Sequence, residues 1–149
     1  NRALELDLEV LNIKQEMLGE KSLDFSNSLN NVACVYSGLG DFEKARECNQ
    51  KALKIRKEIL GDNSPLVALS YSNLALVYSN LGEFHKSIDL NKKAIDIYEN
   101  LGLSTHNYTI TLDNLAISYA KSNNLEMAFF YASKRFFIKV MIVLFFSEN

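Results

Sequence analysis

Apolar residues recur at helical spacing through most of the chain, and the pattern then recurs at a longer interval. Leu29, Val32, Ala33 and Tyr36 form an i, i+3, i+4, i+7 set; Tyr71, Leu74, Ala75 and Tyr78 repeat it, and so do Leu112, Leu115, Ala116 and Tyr119. This spacing puts each set on one helix face and predicts a buried stripe. A second kind of helix follows each of these. It begins near Phe42, Phe84 or Leu125, carries a small residue one turn in (Ala45, Ser87, Ala128), and has Ala52 or Ala94 two turns further. Small side chains there let paired helices approach closely. Leu4, Leu8, Leu11 and Leu18 show helical spacing ahead of the first full set. The pattern predicts seven helices: half a repeat, then three pairs.

Polar residues and glycines punctuate the same interval. Gly19, Gly61 and Gly102 are separated by 42 and 41 residues, a step that marks a repeat array. The predicted units are 1–19 (the second half of a repeat), 20–61, 62–102 and a divergent 103–149. Ser22, Ser64 and Thr105 align as N-caps, with Pro65 at a first helical position that needs no N–H donor. Gly40, Gly82 and Asn123 align at the turn inside each pair; asparagine is the residue after glycine that best tolerates left-handed backbone. One helical hairpin leaves an apolar face that only a neighbouring hairpin covers, so the predicted fold is an all-α, right-handed α-solenoid of antiparallel helix hairpins.

Composition narrows the function classes. A formal net charge of −2 gives no electrostatic case for a nucleic-acid partner. The Lys51, Lys54, Arg56, Lys57 cluster has acids nearby and reads as a solvated helix face. Cys34 and Cys48 have neither metal-ligand nor redox spacing, and no disulfide framework is present, which favours a reducing, cytoplasmic setting. The chain opens at Asn1 in mid-repeat, so a longer polypeptide with further repeats is expected. His85 and His106 stand at surface helical positions, and no nucleophile–base pair with an orienting third group is evident. The reading is of a non-enzyme with no metal and no cofactor.

The Leu-Ala-x-x-Tyr, Gly-x-Phe, Ala, Ala and Leu-Gly pattern resembles the tetratricopeptide repeat. The long second helix, the Leu-Gly ending and the period near 42 residues resemble the kinesin light chain subtype, shared with nephrocystin-like and bacterial signalling arrays. The resemblance runs from about Ala3 to Ala132. It implies a protein–protein interaction scaffold that holds an extended peptide against its first helices. The implied contacts include Asn31, Asn73 and Asn114, one asparagine at the same place in each copy. An amide offers a donor and an acceptor together and so matches a peptide unit. These asparagines equally suit bonding to the neighbouring helix. Adjacent groove positions implied by the family are Asn27, Asn30, Cys34 and Ser37; Leu69, Ser72, Leu76 and Ser79; and Ile110, Asp113, Ile117 and Ala120. Of these, Asn30, Ser72, Asp113, Leu76 and Ile117 join the candidate peptide-binding residues. None of the twelve is basic, which disfavours a terminal-carboxylate clamp. A structural spacer or self-association module of a larger sensor or enzyme is the alternative. Asn49 and Asn91 share a second-helix position where the family usually carries an aromatic residue or leucine.

The end departs from the pattern. Arg135 stands where Ala52 and Ala94 stand, and residues 136–146 read FFIKVMIVLFF. This run is well short of the ~20 apolar residues of a membrane span. It fits a last helix whose far face a further repeat would cover, an end that replaces a genuine repeat, or a membrane-surface segment; no membrane partner is expected.

Overall fold

The structure is a computed structural model and describes residues 2–146. The side chains of Ala3, Leu4, Asp7, Leu8, Lys14, Leu18 and residues 141–146 are excepted. Leu4, Leu8 and Leu18 of the first apolar set, and the last part of the 136–146 run, therefore lie outside the described side chains. The described elements are all helical: α1 (Arg2–Leu18), α2 (Leu23–Gly38), α3 (Phe42–Leu60), α4 (Pro65–Asn80), α5 (Phe84–Asn100), α6 (His106–Lys121) and α7 (Leu125–Phe146). Each helix packs on the next, and α4 also touches α6 directly. The first helices α2, α4 and α6 thus stack side by side, backed by the second helices α3, α5 and α7.

The expected stripes are where the core lies. Phe25 and Leu29 pack with Ala52, Ile55 and Leu11. Ala33, Ala45 and Val77 join the first pair to the second. The largest cluster sets Ile88, Ala94, Ile95 and Tyr98 of α5 against Tyr108, Leu112, Leu115 and Tyr119 of α6. Ala45, Ser87, Ala52 and Ala94 are all fully buried, as close helix approach requires.

The turn inside each pair is built alike. Gly40 and Gly82 have φ of 80° and Asn123 has φ of 63°, the left-handed geometry that a Cβ opposes and that asparagine best accepts. The following N–H groups, of Asp41, Glu83 and Asn124, each bond the aligned tyrosine carbonyl, of Tyr36, Tyr78 and Tyr119, at 2.9 Å. This is the backbone closure that satisfies a helix's last carbonyls. Ser22 accepts from Phe25 N at 3.1 Å and Thr105 from Tyr108 N at 3.4 Å. Ser64 differs: it has the extended N-cap backbone but no side-chain cap bond, and Pro65 opens the helix instead.

Candidate functional site

Each first helix keeps one face open. On α2 it carries Asn27, Asn31 and Cys34, on α4 Leu69, Asn73 and Leu76, and on α6 Ile110, Asn114 and Ile117. These are i, i+4, i+7 sets, so each forms a line along its helix. The lines fall at aligned positions of stacked helices and together make a sheet-like face. Three of its apolar members are well exposed, Leu76 at 47%, Ile117 at 49% and Ile110 at 40%, while Leu69 is half-buried. The middle row is the asparagine ladder.

Of the ladder, Asn31 is exposed, while Asn73 and Asn114 are half-buried. Asn114 Nδ2 lies 3.4 Å from Ser72 Oγ. Asn73 Nδ2 donates to Asn30 Oδ1 at 3.2 Å, with the Asn30 amide nitrogen turned to Asn49 Oδ1 at 3.0 Å. Each bond runs from a ladder asparagine to the residue one place before the asparagine in the preceding copy. Asn73 and Asn114 thereby each give a donor to the seam between first helices. Asn30 and Ser72 are buried in that seam rather than displayed on the face, and Ser79 is buried as well. Asp113 is half-buried and pairs with Arg135 Nε at 2.9 Å. Arg135, at the position of the two small alanines, is thus half-exposed and tied to the adjoining first helix.

Arg56 corrects the expectation of a solvated basic face on α3. Lys51 and Lys57 do pair with acids, Glu20 at 3.2 Å and Asp62 at 2.8 Å. Arg56 is only 2% exposed and reaches forward into the α2–α4 seam. Its Nε donates to Ser26 Oγ at 3.2 Å, its Nη1 to Ser70 Oγ at 2.7 Å and Leu66 O at 3.3 Å, and its Nη2 to Asn27 Oδ1 at 2.8 Å. Asn30 Oδ1 accepts from both Nη atoms at 3.0 and 3.1 Å. Burial pulls the guanidinium below its usual range. Among the described residues no carboxylate forms an ion pair with it. The sequence carried one signal for this: Arg56 aligns with Tyr98, a core residue of the next copy. The lysines at the other aligned positions, Lys14 and Lys139, pointed the opposite way.

The same seam in the next copy is less complete. Ser72 stands where Asn30 stands, and Tyr98 where Arg56 stands. Asn91 aligns with Asn49 and is fully buried, yet among the described residues neither of its amide atoms has a partner; nor does the buried Tyr98 hydroxyl. Burial pushes Tyr98 up to about 12. Tyr108 is also pushed up to about 12, by burial and by the bond it donates to Glu99 Oε1 at 2.7 Å.

His85 and His106 are exposed. Among the described residues no group of three or more His, Cys, Asp or Glu side chains is placed to hold a metal, and no helix is long and apolar enough to cross a membrane. What the arrangement offers is an extended surface of amides and apolar side chains on a stacked helical scaffold.

Fold and face together define a helical-repeat solenoid with one open side. The chain belongs to the tetratricopeptide repeat family, whose profile matches residues 1–58, 24–100 and 66–134 in overlapping copies. Solved structures of kinesin light chain-type repeats share its fold. BtubC (BKLC) from P. vanneervenii is similar with a TM-score of 0.84 at 23% identity, over 93% of this chain and 56% of that one. A kinesin light chain-type array of nearly identical TPR-like repeats from Podospora anserina gives 0.81 at 20% identity, over 94% of this chain and 67% of that one. The apo form of RapI gives 0.79 at 26% identity, over 97% and 56%. This chain therefore spans little more than half the length of BtubC and of RapI. No curated protein sequence matches it. Repeats of this family serve in general as protein-interaction scaffolds.

Proposed function

We propose that the chain binds an extended segment of a partner protein across the open face of α2, α4 and α6. The observation that carries this is the exposure of Leu76, Ile110 and Ile117 in register beside the asparagine row. Apolar side chains at aligned positions of neighbouring helices give anchors at repeated intervals. The ladder amides supply hydrogen-bonding groups for the peptide backbone between those anchors, so an extended chain satisfies both at once. A short segment must be ordered on binding, which holds affinity to the order of micromolar.

The test is a peptide-array screen with the wild type and a Leu76→Ser/Ile117→Ser variant, both checked by circular dichroism. Because the two side chains are about half exposed, the variant keeps its fold. The wild type selects a class of peptides, and the variant binds them at least tenfold more weakly, as expected when two apolar anchors are lost. A second reading draws on the bonds of Asn73 and Asn114 to the preceding copy: the ladder is structural and the array is a spacer. Selection by neither protein, or equal selection by both, favours the spacer.

A further inference from the structure

The open face is not uniform along the array. Over α4 and α6 it is apolar, with Leu69 and Leu76, then Ile110 and Ile117; over α2 the aligned residues are Asn27 and Cys34. The Arg56 guanidinium lies beneath that polar end, bonded to Asn27 itself.

All of Arg56's partners, Ser26, Asn27, Asn30, Leu66 and Ser70, offer neutral oxygens. A desolvated cation without a paired anion keeps a field that nearby water screens poorly. The same bonds orient the amide above it. Asn27 turns its Oδ1 inward to Nη2, which leaves Nδ2 of this exposed residue facing outward with no protein partner among the described residues. Asn31, one turn on and exposed, stands beside it. Hydrogen bonding to the cation polarises the Asn27 amide and strengthens its outward donor.

We propose that the face over α2, where Asn27 and Asn31 stand above buried Arg56, is a subsite for an acidic side chain of the bound segment, whose apolar side chains lie over α4 and α6. This rests on the peptide-binding reading and adds to it the ligand's charge and direction. The Arg56 fork is fully spent on protein oxygens, so it cannot grip a terminal carboxylate bidentately. A side-chain carboxylate on a flexible stem needs only single amide donors and a positive field. Asp24, the acid nearest along α2, lies in the helix's first turn, where the helix dipole offsets part of its charge. The subsite is therefore on the Asn31 side of Asn27. In the next copy Tyr98 replaces Arg56 and Leu69 replaces Asn27, so the preference is confined to one end.

The probe is three pools of fluorescein-labelled nonapeptides with fixed leucines at two positions. One pool carries Glu at a third fixed position and an amidated end; one carries Gln there and an amidated end; one carries Gln and a free C-terminal carboxylate. The wild type binds the Glu pool about fivefold more tightly than the amidated Gln pool, the order expected of one charge acting through a partly aqueous path. Asn27→Leu, which copies Leu69 at an exposed position, removes that difference, with circular dichroism confirming its fold. Arg56→Tyr, which copies Tyr98, also removes it if circular dichroism shows the variant folded; otherwise Asn27→Leu decides alone. Equal binding of the amidated Glu and Gln pools, or a preference that survives Asn27→Leu, overturns this inference and leaves the peptide-binding reading standing. A free-carboxylate pool as tight as the Glu pool overturns the side-chain assignment. Binding of no pool overturns the peptide-binding reading, and this one with it.

Discussion

Single side chains decide how well each seam is satisfied. At Asn30 the amide meets Asn49, Asn73 and Arg56 at once; at the aligned Ser72 the shorter side chain bonds within the α4–α6 seam, and Asn91 behind it is left unpaired. The Tyr98 hydroxyl is a further orphan. Leaving a buried donor unmade costs ~1 kcal/mol or more, so Tyr98→Phe is expected to raise stability by about that amount in urea unfolding. The same residue has an alkaline signature. Its folded-state pKa is about 12 against an ordinary 10.0, so its contribution is complete below pH ~10 and is lost as pH rises toward ~12. The stability of the wild type therefore falls over that range, and Tyr98→Phe flattens the fall, leaving the part due to Tyr108. At the acid side, burial opposes ionisation of Glu99, but the bonds from Lys134 and Tyr108 outweigh it and hold the carboxyl below its usual range. That contribution is present above the ordinary carboxylate range and is lost as pH falls through the lowered value. Glu99 is half-exposed, so solvent reduces the effect.

At the scale of the helix, position in the repeat sets what a residue is worth. Ser22 and Ser64 align, yet only Ser22 accepts a capping bond. Ser22→Ala is expected to cost ~1 kcal/mol and Ser64→Ala only a few tenths, a contrast that thermal melts of the two variants measure directly. The turns behave in parallel. Asp41 and Glu83 start the second helices and pair with Lys44 and Lys86, which in turn lie 5.3 Å from the ring centroids of Tyr36 and Tyr78. The copy that begins with Asn124 has no such pair and relies on the side-chain cap, Asn124 Oδ1 accepting from Met127 N at 3.1 Å as Asp41 Oδ1 accepts from Lys44 N at 3.2 Å, whereas Glu83 has the lysine pair and no side-chain cap. One geometry is thus held by two chemistries.

At the scale of the whole array, each hairpin depends on its neighbour. Ile88 and Ile95 of α5 are buried beneath α6, whereas the aligned Phe129 and Phe136 of α7 are 76% and 67% exposed. Exposed aromatic residues in contiguous patches favour association. Phe129→Glu/Phe136→Glu is therefore expected to keep the helix content while lowering dye binding to apolar surface and concentration-dependent light scattering; unchanged scattering would show that this face is not the adhesive one.

By itself the amino-acid order determined the seven helices, their caps and turns, and the apolar stripes, because those are local: spacing, N-cap oxygens and left-handed turn residues act within a few positions, and the repeat shows each rule three times. Membership of the repeat family followed from the same local marks. Tertiary structure alone decided which polar residues face inward. Arg56 sits on α3 among lysines and is carried into the α2–α4 seam only when α4 arrives. Asn30, Asn49 and Asn73 come together from three helices, and no single helix announces that meeting. Burial and charge pairing are properties of what stands opposite a residue, and in a solenoid what stands opposite is the next repeat.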